Sequence, residues 1–300
     1  MCEHSYAAFG LRVGAPVPLA LRPDDGAARP AIALRPLAEH ELAARWSGPV
    51  RRLWEADRDG IVVSVERGRA GDHRIRAEGV ATFVLAADGS ELACATDGDR
   101  ERDWQRMLEE LALPCTSLLL GHEALHAGAV ALTDGGAVAL LAPSGGGKST
   151  LTAALLDAGG ELLSDDVLVL RGDGERIVAE PGAPSLKRAS VEGGAEMRML
   201  LSGGALAARP LTLVVVLARG AAGAVAERPR LEPLDGPMPV LTHALSLPST
   251  PERATARLAL YGELLARTPA ARLVADVRDT PARLAELVAT AAGAREAVLA

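Results

Sequence analysis

Aromatic residues are nearly missing: 300 residues carry 3 Trp, 2 Tyr and 2 Phe. That scarcity excludes the stacking platforms on which single-stranded nucleic-acid readers depend. A basic face is lacking too. Acidic residues (39) outnumber Lys and Arg (32) for a net charge of −7, so a duplex-binding protein is not expected. Cysteine is scarce: Cys2, Cys94 and Cys115 are odd in number and have no metal-ligand spacing. They exclude a disulfide framework and fit a reducing compartment. No apolar run reaches the ~20 residues that cross a bilayer. Met1-Cys2 opens the chain without the apolar segment of a secretion signal. The expectation is a cytoplasmic protein without membrane or nucleic-acid partners.

What is present is alanine, leucine, valine and glycine, in a chain long enough for one large or two modest domains. Residues 1–110 read as a smaller β-rich domain. Tyr6–Val13 is a first strand, Ile32–Leu34 a second, and two Asp-Gly turns, at Asp59-Gly60 and Asp88-Gly89, mark hairpins. His4 and His73 stand alone there, and the domain serves either substrate recognition or packing. A charged hinge at 97–102 leads to an amphipathic helix with Trp104, Met107, Leu108 and Leu111 on one face, which Pro114 is expected to interrupt.

Residues 111–300 hold the chemistry. Val138–Leu141 reads as a buried strand. Ala142-Pro143-Ser144-Gly145-Gly146-Gly147-Lys148-Ser149-Thr150 follows, and then a helix-forming run over 151–158. Strand, glycine-rich loop and helix form the context of a P-loop. The loop from Pro143 through Thr150, whose backbone N–H groups begin at Ser144, is placed to curl around phosphates, aided by the helix dipole. Lys148 reaches the β/γ-phosphates and the Ser149 hydroxyl is placed on Mg²⁺. Ala142 stands where the strict pattern has glycine. Glu161–Leu170 then reads as a strand interrupted by Asp165 and Asp166, whose side chains point to opposite faces. Ligands gather at the carboxyl ends of strands in a parallel sheet, so these acids are expected to meet the phosphates.

Farther on, 181–204 is a Gly- and Pro-rich loop offering Lys187, Arg188 and Arg198 as candidate lid or clamp residues, though for any one of them solvated surface charge is the favoured reading. Pro210–Ala218 is a strand buried on both faces, ending in Arg219-Gly220 without the usual acid. Arg230–Leu234 is an edge strand. Helices are expected over about 237–247, 251–267 and 280–292, with a strand over 271–277.

The run Gly147-Lys148-Ser149, helix, Gly159, Leu162-Leu163-Ser164-Asp165-Asp166-Val167, with Leu125-His126-Ala127-Gly128 one hairpin upstream, resembles the nucleotide core of bacterial HPr kinase/phosphorylase. The strict match spans about 125–170, and a looser likeness extends to HPr kinase-related proteins near peptide-modification genes, such as lasso-peptide precursor kinases. The resemblance implies an α/β fold with a P-loop kinase-like core of the HPr kinase/carboxykinase type. It implies ATP and Mg²⁺ as cofactors, with Asp165 as general base and Asp166 as supporting acid. Asp165, Asp166 and Ser149 would lie at the metal, with His126 and Lys148 beside the γ-phosphate. It implies a serine hydroxyl of a protein or peptide as acceptor, and a homo-oligomer. An Arg-Gly-x-Gly signature is absent after the Asp-Asp strand and Pro181-Gly182-Ala183-Pro184 stands there, which favours the peptide-kinase relatives over HPr itself. Two other readings stay open: a P-loop phosphotransferase on a small molecule, and a non-catalytic nucleotide-binding module.

Overall fold

The computed structural model describes residues 3–58, 60–96, 103–143, 145–188, 197–200, 207–219, 229–245, 251–276 and 278–293. It is a mixed α/β chain with two large sheets, divided into one unit ending at His122 and another beginning at Glu123. Among the described residues no helix is long and apolar enough to cross a membrane.

The first unit is a nine-stranded sheet in the order β3-β1-β2-β4-β9-β8-β7-β6-β5. Its strands are β1 (His4–Ala8), β2 (Leu11–Ala15), β3 (Arg22–Pro23), β4 (Ala31–Pro36), β5 (Pro49–Arg58), β6 (Ile61–Gly68), β7 (His73–Ala77), β8 (Ala81–Leu85) and β9 (Glu91–Thr96), with helix α1 (Glu39–Arg45) after β4. The expected single strand over Tyr6–Val13 is instead the hairpin β1–β2. Phe9 and Gly10 at its tip both have positive φ, 55° and 73°, which gives the twist that a two-residue hairpin needs. Both Asp-Gly hairpins are formed, β5–β6 and β8–β9; Asp59 itself lies outside the described residues.

Pro114 does not interrupt its helix. Helical backbone runs from α2 (Trp104–Met107) through a π-helical turn, Leu108–Ala112, into α3 (Leu113–Leu119). The wide turn sits directly before the proline, where a regular turn would need the missing N–H and would drive the ring into the carbonyl four residues back. Met107, Leu108 and Leu111 are buried, as their spacing requires.

The second unit is organised by β10 (Glu123–Ala131). Its first half, 123–126, lies between β13 (Val167–Gly172) and β19 (Ala244–Leu245). Its second half, 127–131, lies between β11 (Ala137–Leu141) and β12 (Glu161–Ser164). The other elements are α4 (Lys148–Asp157), β14 (Ile177–Glu180), β15 (Ser185–Arg188), β16 (Met197–Leu200), β17 (Arg209–Arg219), β18 (Arg230–Pro233), α5 (Met238–Leu241), α6 (Pro251–Arg267), β20 (Ala270–Ala275) and α7 (Pro281–Gly293). β11, β17 and β20 are parallel. The other pairings are antiparallel, so the sheet is mixed rather than all-parallel. The reason is local: short turns join β10 to β11 and β13 to β14, and only antiparallel strands accept such turns.

The alternation of β10 serves two cores. Leu125, Ala127, Ala129 and Ala131 enter one, with Tyr261 and Leu264 of α6. Val130 enters the other, with Leu151 and Leu155 of α4 and Ala285 and Val288 of α7. His126 and Gly128 therefore share the α4 side with Val130. At 181–204 the described residues include the antiparallel pair β15–β16, which sets Lys187 opposite Arg198; β15 packs beside α4.

A buried ion cluster fixes α6 to the start of β10. Glu123, 3% exposed, accepts from Arg253 Nη2 at 3.0 Å and Arg257 Nε at 2.8 Å. Tyr261 donates its hydroxyl to Ala124 O at 2.9 Å; burial, and then the Glu123 carboxylate, push its phenol up. Removing the carboxylate would leave two guanidinium groups facing each other without their shared counter-charge. Glu123→Ala is expected to cost about 3 kcal/mol, the low end for breaking a buried pair because both arginines keep some solvent. Urea unfolding measures it, and a loss under about 1 kcal/mol, the scale of a surface pair, would contradict the assignment.

Candidate active site

The loop after β11 is shaped by contacts that tolerate no extra atom. Gly146 N–H donates to Pro143 O at 2.9 Å, closing a turn. A Cβ at Gly146 would lie 2.7 Å from Ala142 Cβ and 2.8 Å from Pro143 O. Ala142 therefore fills the space that glycine at 146 leaves open, and its departure from the strict pattern is accommodated. Gly147, at φ 99°, caps α4; the left-handed turn is open to glycine at no steric cost. α4 ends in a Schellman pair, Gly159 N–H to Leu156 O and Gly160 N–H to Leu155 O, each 3.0 Å. Pro143 and Gly145 are exposed, Ser149 and Thr150 lie on the first turn of α4, and Ser144 lies outside the described residues.

Register brings the rest together. β11 and β12 both run antiparallel to β10, so their carboxyl ends meet at one place. Ala127 faces Leu141, the last residue of β11, and Ala129 faces Ser164, the last of β12. Asp165 and Asp166 occupy the bend between β12 and β13, opposite Gly128 and Ala127. Ala127 N–H donates to Asp166 O at 3.2 Å. Gly128 makes the approach possible, since a Cβ there would stand 3.0 Å from Thr152 Oγ1 of α4 and 3.4 Å from Asp165 O.

The side chains form a chain of contacts. Lys148, only 9% exposed, donates to Ala142 O at 2.6 Å and to His126 Nε2 at 3.2 Å. His126 Nδ1 donates to Asp166 O at 3.1 Å, with Asp166 Oδ1 at 3.3 Å. Acceptors face one ring nitrogen and an ammonium faces the other, so the imidazole is the neutral tautomer with its proton on Nδ1. Burial pulls the Lys148 ammonium below its usual range, against the opposing pull of the Asp166 and Asp165 carboxylates. The Asp165 Oδ1 oxygen is shut off from solvent. Lys148, His126, Asp165 and Asp166 are thus brought to one point, with Ser149 and Thr150 on the adjoining helix turn.

His243 joins this group, and nothing in its sequence surroundings marks it. A helix over 237–247 was the expectation; α5 stops at Leu241, because 244–245 is captured as β19 on β10. The turn between them delivers His243 O to His126 N–H at 2.7 Å. Burial holds the His243 imidazole below its usual range, helped by the positive charge that His126 carries when protonated and by the Lys148 ammonium.

Oxygen donors define which ion could join. Mg²⁺ is held by one or two carboxylates together with substrate phosphates and water. Ser149 and the Asp165-Asp166 bend supply a hydroxyl and two carboxylates, a set of that kind. Among the described residues there is no group of three or more His, Cys, Asp or Glu that could hold a metal ion.

No protein-family model matches this chain, and no curated protein matches it. Among solved structures, the Hpr(Ser) kinase/phosphatase from Coxiella burnetii is similar to part of it, with a TM-score of 0.30 and 15% identity over 56% of this chain and 94% of that one.

The electrostatics of His243 carry a pH dependence. Its folded pKa lies below the ordinary value of 6.5, so between the two values the unfolded chain binds more protons. Stability therefore falls as pH drops below that ordinary value. His243→Gln is expected to flatten part of the decline in melting temperature on the acid side. Identical melting profiles for wild type and variant from neutral pH to pH about 5 would contradict it.

Proposed function

We propose that this chain is an ATP-dependent phosphotransferase whose acceptor is a hydroxyl, with serine of a protein or peptide as the favoured class. One observation carries the reading: a lysine at the first residue of a glycine-capped helix, held at 3.2 Å from a histidine that rests on a two-aspartate bend. A buried ammonium held by a carbonyl and an imidazole is poised for an incoming anion. A triphosphate cradled by the amides of 145–150 would draw Lys148 from Ala142 O and His126 onto its β/γ oxygens.

The step is an in-line displacement. The acceptor oxygen forms a bond to the γ-phosphorus, the bond from that phosphorus to the β–γ bridging oxygen breaks, and ADP departs with the negative charge. The acceptor proton passes to the Asp165 carboxylate. His126, donating from Nδ1 to Asp166, keeps that bend in place, and its Nε2 faces the Lys148 end of the site. Ser149 with Asp165 or Asp166 would hold Mg²⁺, which supplies charge neutralisation on the phosphates.

Lys148→Ala is expected to weaken ATP binding and lower transfer by about 10²-fold or more. Gly146→Ala should produce the same loss of binding without removing any charge, because its Cβ cannot fit beside Ala142 and Pro143 O. Normal nucleotide affinity in both variants would sink the assignment.

The two acids should separate. Asp165→Asn is expected to keep ATP affinity and lose about 10²-fold or more in transfer. Asp166→Asn is expected to need more Mg²⁺, with excess metal restoring part of the rate. Phosphotransfer and ATP binding over a Mg²⁺ series read both. Wild-type activity in each variant would rule out a kinase centred here, and binding without turnover on any acceptor would indicate a nucleotide-sensing module.

A further inference from the structure

Helices α4 and α7 pack through Leu151, Ala154 and Leu155 against Ala285, Val288 and Ala292. Beside this packing lies a cavity of ≈ 410 Å³ that runs along α4 and faces the amino end of α7. Ser149 and Thr150 stand at one end, Ala153, Ala154 and Asp157 run along α4, and Pro281 and Ala282 at the start of α7 form the facing wall. Its size falls within the about 300–1,000 Å³ of small-molecule sites.

Three features say what would occupy it. The first is position around the helix. Lys148 and Thr152 lie on the β10 side of α4, against His126 and Gly128. At 3.6 residues per turn, 149, 150, 153, 154 and 157 lie on the other side, centred about half a turn away. A phosphate chain with its terminal group at Lys148 and its inner groups on the first helix turn therefore leaves the loop pointing into this cavity. The second is length. From Thr150 to Asp157 the helix rises about 10 Å, room for a sugar and a base in succession. The third is lining. Ala153, Ala154 and Ala282 project only a methyl group each, and with the Pro281 ring they make a flat apolar surface. The exposed Asp157 carboxylate at the far end is an acceptor for a sugar hydroxyl or an exocyclic amine. Among the described residues no aromatic side chain lines the cavity, so a base would rest there by apolar contact and shape.

We propose that this cavity seats the nucleoside of the bound nucleotide, with the sugar beside Thr150 and Ala153 and the base against Ala154, Pro281 and Ala282. The inference rests on the reading that the loop at 142–150 holds the phosphates.

Titration calorimetry with ATP and with inorganic tripolyphosphate, both in Mg²⁺, separates the two claims. Ala153→Trp and Ala282→Trp fill the cavity from opposite walls. Each is expected to weaken ATP by about tenfold or more while leaving tripolyphosphate binding as in wild type. Retained tripolyphosphate binding also shows that the loop and α4 are folded in the variant. If both variants bind ATP as wild type does, or if wild type binds ATP no more tightly than tripolyphosphate, the nucleoside lies elsewhere and only this inference falls. If wild type binds neither probe, the phosphate-loop reading fails and this inference fails with it.

Discussion

A lysine ammonium withdrawn from water is the constraint around which the second unit is arranged. Burying such a charge is costly unless its protons are taken up. Here Ala142 O and the His126 imidazole accept two of them. Those acceptors exist only because β11 ends at the level of Ala127 and because β10 presents His126 toward α4. The imidazole is in turn held in one tautomer by Asp166, whose bend lies opposite Gly128 and Ala127. The ammonium, the histidine and the bend are thus mutually required. Burial outweighs the pull of both aspartates and lowers the lysine pKa. An anion in the loop would reverse that balance, giving binding energy a defined electrostatic source.

Support for this arrangement comes from elements far away in sequence. The Arg253–Glu123–Arg257 cluster anchors α6 at the first residue of β10, three residues before His126. β19 pairs with Ala124 and Leu125 and so places His243 beside the site. The helix pair α4–α7 sets the opposite wall. One strand, β10, therefore touches the anchoring cluster, the histidine and the aspartate bend within its length.

Much of the second unit was legible because its signals are local. The glycine pattern with Lys148, the apolar strand before it and the Gly159-Gly160 stop each determine their own backbone. The bend at Asp165-Asp166 was legible as an interrupted strand, and the structure keeps one continuous register with β10 across it. What escaped depended on tertiary pairing. Residues 242–245 have a helical pattern, yet pairing with β10 ends the helix at Leu241 and makes His243 part of the site. Pro114 looked like a helix breaker because a proline forbids a regular turn, and a π-helical turn is a solution that single-residue rules do not express. In the first unit, Phe9 at positive φ turned an apparent single strand into a hairpin, a conformation that composition alone rarely signals.

The central claim is that Lys148 leaves Ala142 O and His126 when a nucleotide triphosphate enters the loop. Nitrogen-15 NMR of the His126 imidazole, assigned by comparison with a His126→Gln variant, tests it during a titration with Mg²⁺ and ATP. The account predicts that the Nε2 resonance moves as its lysine donor departs, while Nδ1, bonded to Asp166, stays protonated. Both ring nitrogens unchanged at saturating nucleotide would contradict it.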